Sequence, residues 1–357
     1  MIKDLENIYK GKRIFLTGHT GFKGSWMIAV FNMLGADVKG YSLPPAHENG
    51  IYNLISANDL CDSFYGDIND FEKLRSQITE FQPDYIFHLA AQPLVRYSYS
   101  QPIETFQTNI IGTANLLEAV KEIINDCTVV IITTDKVYHN NEWEYPYREN
   151  DKLGGFDPYS ASKACAELVV DSFRNSFFHK NNIGKHGKKI VTARAGNVIG
   201  GGDRAIDRII PDIIRSVENN QELDVRNPNS IRPWQHVLEP IFGYLKLASI
   251  IRHSDIYEDS WNFGPNLNDC LQVREIVNIA KVFFPDLLIK QTHEICSQLH
   301  EAQILKLDIS RTSKFLNWEP KWNSETALNY TFDWYKSVEN TSPFDIVNLQ
   351  ISDYIKK

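Results

Sequence analysis

What this 357-residue chain lacks narrows its function first. Its five cysteines (Cys61, Cys127, Cys165, Cys270 and Cys296) are scattered, odd in number and free of CxxC spacing. They suggest neither a disulfide framework nor a zinc site, and no metal is expected. No run of about 18 apolar residues is present, and Met1 to Glu6 has no apolar signal-peptide core, so a cytoplasmic protein with no membrane partner is expected. Basic residues are not in excess: 37 Lys and Arg face 45 Asp and Glu, a net charge of −8, which argues against nucleic acid as the main partner. An anionic ligand must then be held by local positive groups. Repeats, low-complexity segments and long linkers are absent as well.

What is present begins at Arg13, where an apolar run enters Gly18-His19-Thr20-Gly21-Phe22-Lys23-Gly24-Ser25-Trp26. Gly18, Gly21 and Gly24 stand three apart, where a chain must turn sharply, admit a ligand to its backbone and pack a helix on a strand. The helix from Phe22 would aim its unpaired N–H groups and positive dipole end at a pyrophosphate, with Lys23 and the Thr20 hydroxyl nearby. A dinucleotide is the natural occupant. Strand patterns near 13–17, 37–43, 61–66, 84–89 and 129–134 alternate with helical patterns near 22–35, 70–80, 103–123 and 158–178. This alternation predicts a Rossmann-type doubly wound parallel α/β sheet. Residues 1–195 form the expected dinucleotide domain. Residues 196–357 form a smaller C-terminal α/β substrate lobe, with segments returning to the first.

Ligands of such sheets bind beyond the carboxyl ends of the strands, so the residues after each strand should converge on one crevice. After the second strand, where an acidic residue often holds the adenosine ribose, stands Ser42. No Arg is near to hold a 2′-phosphate, although Lys39 and His47 are not far, and NAD is favoured. Asp67 and Ile68 come after the third strand; Asp67 either caps the helix near Asp70 or, by resemblance to the extended short-chain dehydrogenase/reductases, contacts the adenine ring. The fourth strand runs into Leu89, Ala90, Ala91 and Gln92, the small residues leaving room for a cofactor along the backbone. Asn109 is expected to be structural, and Trp234 and His236 packed.

The fifth strand runs into Thr134-Asp135-Lys136-Val137-Tyr138, and Tyr159 and Lys163 come later at i, i+4 spacing on a helix. One face thus carries a phenol and an ammonium about 5–6 Å apart at Cβ. A nearby ammonium and a cationic nicotinamide both favour the phenolate, which can take a proton from a sugar hydroxyl.

These motifs, with Tyr147 to Asp151, Leu153 to Tyr159 and Arg232-Pro233-Trp234-Gln235-His236-Val237, resemble the nucleotide-sugar 4,6-dehydratases of the extended short-chain dehydrogenase/reductase superfamily. The likeness runs from about residue 8 to 340 and is closest to the CDP-glucose branch. It implies an NAD-dependent conversion of CDP-glucose to CDP-4-dehydro-6-deoxyglucose. Tyr159, Lys163 and Thr134 would serve the redox step, with Asp135 as acid at the 6-hydroxyl. Lys136 stands where other branches carry a Glu base for C5; it is either that base, when neutral, or a stabiliser of the enolate, as an ammonium. Gln92, Asn197, Arg204, Arg208 and Arg232 would face the substrate, Arg232 being the leading candidate for its diphosphate. A homodimer or dimer of dimers through helices 103–123 and 158–178 is implied too. Two alternatives stay open: a 4-epimerase or a dehydratase of another nucleotide sugar, and an NAD-binding sensor without catalysis.

Overall fold

A computed structural model describes residues 2–254, 260–290 and 304–356; Cys296 lies outside them. Six strands, β1 (Arg13–Thr17), β2 (Asp37–Ser42), β3 (Asp62–Tyr65), β4 (Tyr85–His88), β5 (Cys127–Ile132) and β6 (Lys188–Ala195), join Ser260–Phe263 in one parallel sheet. Its order is Ser260–Phe263, β6, β5, β4, β1, β2, β3, which is the expected Rossmann-type arrangement. The chain leaves β1 for β2 on one side and reaches β4 on the other, so a crevice opens above the β1 and β4 ends.

Alternation along the strands builds a core on each face. Ile14 and Leu16, Tyr85 and Phe87, and Val130 and Ile132 point into one apolar cluster; Phe15, Ile86, Val129 and Ile131 point into the other. Buried on both faces, β5 reads Cys-Thr-Val-Val-Ile-Ile with no exposed position, as a central parallel strand requires. The helix Phe22–Met33 is buried from Gly24 to Phe31, because the C-terminal helix Pro343–Lys356 closes over the side it turns from the sheet.

Three expectations need correction. The helix expected over 103–123 is Pro102–Phe106, a π turn at Gln107–Ile111, and then Gly112–Val120. In that turn the buried Asn109 amide accepts from Gln92 N at 2.8 Å and donates to Gln92 O at 3.1 Å and Ser162 Oγ at 2.8 Å, a structural role as expected. Such turns are often tied to functional sites. The strand expected over 129–134 runs Cys127–Ile132, so Thr133 and Thr134 lie beyond the ladder. The helix near Asp70 is capped by Asp70 itself, which accepts from Lys73 N at 3.2 Å; Asp67 is not the cap.

After β6 the chain makes the pair Val198–Ile199 with Gln235–His236, the helix Ile209–Glu218, and the antiparallel pair Ile231–Arg232 with Leu271–Gln272. It also returns to the sheet: helix Leu238–His253 packs on β5 and β6, and Ser260–Phe263 extends it. Trp234 and His236 are buried as expected, His236 against Trp26 and Trp322. Among the described residues no helix is long and apolar enough to cross a membrane.

Candidate active site

A cavity of about 1190 Å³ lies over the carboxyl ends of the strands. The glycine turn forms one wall. Gly18 has φ +71°, and a Cβ there would lie 2.7 Å from Ala90 N; one on Gly24 would lie 2.3 Å from Gly18 O. Both positions exclude side chains, so the turn stays tight against β4 and its helix. Gly21 lines the cavity with only Gly18 O, at 3.3 Å, near where its Cβ would be. The result is a bare backbone cradle at a helix N-terminus, which fits a diphosphate.

Thr20 hydrogen-bonds Ser42 Oγ at 2.8 Å and Leu43 O at 2.9 Å, tying the turn to the end of β2. Asp67 Oδ1 accepts from Asn69 N at 2.9 Å and its carbonyl accepts from Tyr41 OH at 2.9 Å, which leaves Asp67 on the cavity wall with Ile68. Leu89, Ala90 and Ala91 line the cavity as expected, and Phe22 does too. Gln92 does not: its amide donates to Thr105 Oγ1 at 2.8 Å and accepts from Leu94 N at 2.6 Å, and so shapes the loop behind the wall. Lys23 lines the cavity as expected, its Nζ 3.4 Å from Tyr244 OH, and burial, with Arg208 and Lys163 adding to it, pulls its ammonium down to about 7.

Helix Pro158–Ser176 presents the phenol and ammonium. Asp157 caps it, accepting from Ser160 N at 2.9 Å, and Pro158 fills the first helical position, where no N–H is needed. Lys163 Nζ donates to Ile132 O at 2.9 Å. Burial pulls the Lys163 ammonium down to about 8, opposed by Glu167 one turn further on. Burial pushes the Tyr159 phenol up to about 12, against the Thr134 hydroxyl and the Arg208 charge. Thr134 caps the short turn Asp135–Val137, and its hydroxyl donates to Asp135 Oδ1 at 2.9 Å. Asp135 is 1% exposed, and its Oδ2 has no hydrogen-bond partner. Lys136 Nζ lies 4.0 Å from Asp135 Oδ1. A proton acceptor, a free carboxylate oxygen and an amine thus share one end of the cavity.

Of the residues expected at the substrate, Asn197, Arg204, Arg208 and Arg232 line the cavity. Arg208 reaches the catalytic end, its Nη1 donating to Asp203 at 3.0 Å. Arg232 is buried, its Nη1 donating to Ile231 O at 3.0 Å. Arg204 is committed to Glu218, at 2.6 and 2.7 Å. Arg226 could be read from the sequence as a positive group for a diphosphate, but not its partners on the cavity lining, where Asp207 joins it at 2.7 Å to Arg96 at 3.2 Å. Sequence reasoning also missed Glu167, although its i+4 spacing from Lys163 was a usable signal. Among the described residues no group of three His, Cys, Asp or Glu side chains could hold a metal ion.

Residues 15–331 match the family model described as GDP-mannose 4,6 dehydratase. The chain belongs to that family. It is 49% identical over 356 residues to the CDP-glucose 4,6-dehydratase of Salmonella typhimurium, covering 98% of each chain. The likeness read from the motifs is therefore borne out. Among solved structures it resembles a dTDP-glucose 4,6-dehydratase of Bacillus anthracis in complex with NAD, with TM-score 0.74, 20% identity, and 94% and 100% of the two chains covered. It also resembles a UDP-glucuronic acid 4-epimerase of Bacillus cereus bound to UDP-glucuronic acid and NAD, with TM-score 0.78, 22% identity, and 91% and 99% covered. At those identities these two structures establish the shared fold.

Proposed function

We propose that this family member is a CDP-glucose 4,6-dehydratase that uses NAD. The observation that carries the reading is the Thr134–Asp135–Lys136 turn set beside Tyr159 and Lys163, with one oxygen of the buried Asp135 carboxylate left free. An enzyme that only inverts C4 has no use for an acid and an amine there. The 49% identity to the Salmonella enzyme supports the choice of CDP-glucose.

The glycine cradle, Ser42, Asp67, Ile68 and Leu89 to Ala91 would hold the dinucleotide. NAD bound there would supply the hydride acceptor for C4 and, reduced, the hydride donor for C6, so the sequence is redox-neutral. The protein's groups supply the proton movements. Tyr159 takes the C4 hydroxyl proton while Thr134 holds that oxygen and Lys163 stabilises the phenolate. The C4 ketone acidifies the C5 proton. Lys136 removes that proton as a neutral amine or stabilises the enolate as an ammonium, Asp135 in its carboxylic acid form gives a proton to the departing 6-hydroxyl, and once hydride has added at C6 a solvent-exchanged proton returns to C5. Asn197, Arg208 and Arg232 would hold the substrate diphosphate, and Arg204 its surroundings.

In this reading residues 1–195 serve the dinucleotide, 196–357 serve mainly the nucleotide sugar, and the enzyme works in the cytoplasm. A homodimer, or dimer of dimers, is supported by exposed Ile103, Ile111 and Leu168 on the two helical segments beside the site. Purified protein offered CDP-, UDP-, GDP- and dTDP-glucose should release a product one water lighter from CDP-glucose first. Product of unchanged mass from every donor would refute the dehydratase reading.

A further inference from the structure

Outside the catalytic set, an ion pair lies buried beneath the turn that carries Asp135 and Lys136. Glu167 is 4% exposed, and its carboxylate accepts four hydrogen bonds. Thr133 Oγ1 at 2.5 Å and Arg194 Nε at 3.0 Å bind Oε1; Thr192 Oγ1 at 2.7 Å and Arg194 Nη2 at 3.0 Å bind Oε2. Arg194 uses its remaining donor group on Tyr138 OH at 2.8 Å and Glu149 O at 3.0 Å, and Tyr138 OH donates to Asn262 Oδ1 at 2.7 Å.

The order of these bonds along the chain matters. Thr133 immediately precedes Thr134, and Tyr138 comes immediately after Val137, so one ion pair fastens both ends of the catalytic turn. Within the turn the bonds made by backbone N–H groups are long: Val137 N to Thr134 O is 3.4 Å, and Lys136 N to Thr134 Oγ1 is 3.3 Å. Its shape therefore leans on the shorter contacts at its ends, the ion pair's together with Thr133 N to Ala193 O and Gly154 N to Val137 O, both 2.8 Å. The two arms also differ. Thr133 sits next to Thr134, which bonds Asp135, and to Ile132, where Lys163 is anchored; Tyr138, held by Arg194, sits two residues from Lys136, the group at C5. Tyr159 and Lys163 are kept in register by their own helix.

We propose that the Glu167–Arg194 pair is a positioning clamp on the Asp135–Lys136 turn, and that its Tyr138 arm serves the loss of water and not the oxidation at C4. This rests on the dehydratase reading above. Displacement of a reacting group by about 1 Å can cost about 10²-fold, so a loosened arm should show in the half-reaction that depends on it.

Tyr138→Phe removes one hydroxyl and keeps the ring that stacks on Tyr147 with centroids 5.2 Å apart. Thr192→Val also removes one donor to Glu167, but Thr192 lies on β6, away from the turn, and serves as the control. Thr133→Val loosens the other arm and keeps the proposal testable should Tyr138→Phe fail to fold. The assay is a single turnover with C4-deuterated CDP-glucose, following reduced cofactor, exchange of the C5 hydrogen with solvent, and 6-deoxy product, beside melting temperatures. Tyr138→Phe should oxidise C4 within about twofold of wild type yet slow C5 exchange and product formation at least about tenfold, so that reduced cofactor accumulates. Thr133→Val should slow both halves, and Thr192→Val should partition as wild type does. A normal partition in Tyr138→Phe, an equal shift in Thr192→Val, or Thr133→Val leaving both halves untouched would overturn the clamp while wild type still makes 6-deoxy product. A wild type that turns over no nucleotide sugar would overturn the functional reading and the clamp with it.

Discussion

Replacing Lys163 with Met removes the ammonium nearest the Tyr159 phenol along the helix while keeping a side chain of similar length. Burial pushes Tyr159 up to about 12, so without help almost none of it is phenolate near neutral pH. The i, i+4 spacing sets the two groups about 5–6 Å apart at Cβ. At an effective dielectric constant of about 20, unit charges about 5–6 Å apart interact by about 3 kcal/mol, so about two pKa units or about 10²-fold in phenolate is the upper bound for Lys163, beside the Arg208 charge that also favours the phenolate. Lys163 itself is pulled down to about 8 by burial, so its help is full below that pH and fades above it. In Lys163→Met the single-turnover oxidation of C4 should therefore fall by up to about 10²-fold at pH 7, and the alkaline rise of its rate should begin up to about two units higher. Stopped-flow absorbance of reduced cofactor from pH 6 to 10 measures both. A loss under about threefold with an unmoved profile would refute the assignment of Lys163 as the charge that activates Tyr159.

Gly21→Val places a branched side chain on the cavity wall while the tight contacts at Gly18 and Gly24 survive, so NAD binding should be lost with the melting temperature nearly unchanged; unchanged NAD affinity by calorimetry would contradict the cradle. Arg232→Ala should raise KM for CDP-glucose by about tenfold or more with a smaller fall in kcat, because a phosphate contact holds ground and transition states alike; steady-state kinetics with an unchanged KM would point to another arginine. Glu239 is pushed up to about 7 by burial, although Tyr354 OH and the Trp322 and Lys321 N–H groups donate to it. The folded state then holds a proton that the unfolded chain releases, so this contribution is full below about pH 4.5 and is lost as pH rises through about 7. The melting temperature of Glu239→Gln, relative to wild type, should rise between pH 5 and 7.5; a constant difference would remove Glu239 as the titrating group.

Local chemistry explains which features could be read from the chain. The glycine spacing, the Tyr159 and Lys163 pair and the unbroken apolar run of β5 act over a few residues and survive any tertiary arrangement. The π turn at Gln107–Ile111 was hidden because Asn109 bonds Gln92 and Ser162, partners that only the packed fold brings near. Arg194 was hidden in the same way, 27 residues from Glu167 and on a different element. Lys23 shows a third limit. Its place at the helix start suggested a phosphate contact and it does line the cavity, but the partner its amine meets there, Tyr244, is 221 residues away. Arg204 is likewise drawn to Glu218 on the helix Ile209–Glu218. Backbone position was legible at these sites, and side-chain direction was not.

The central claim is that Asp135 and Lys136 turn an oxidation at C4 into the loss of water across C5 and C6. CDP-glucose carrying deuterium at C4, converted by the wild-type protein in ordinary water and examined by NMR, tests it most directly. The account predicts deuterium at C6 of a 4-dehydro-6-deoxy product, with the C5 hydrogen replaced from solvent when the solvent is D2O. Deuterium retained at C4, or returned there with inverted configuration, would contradict it.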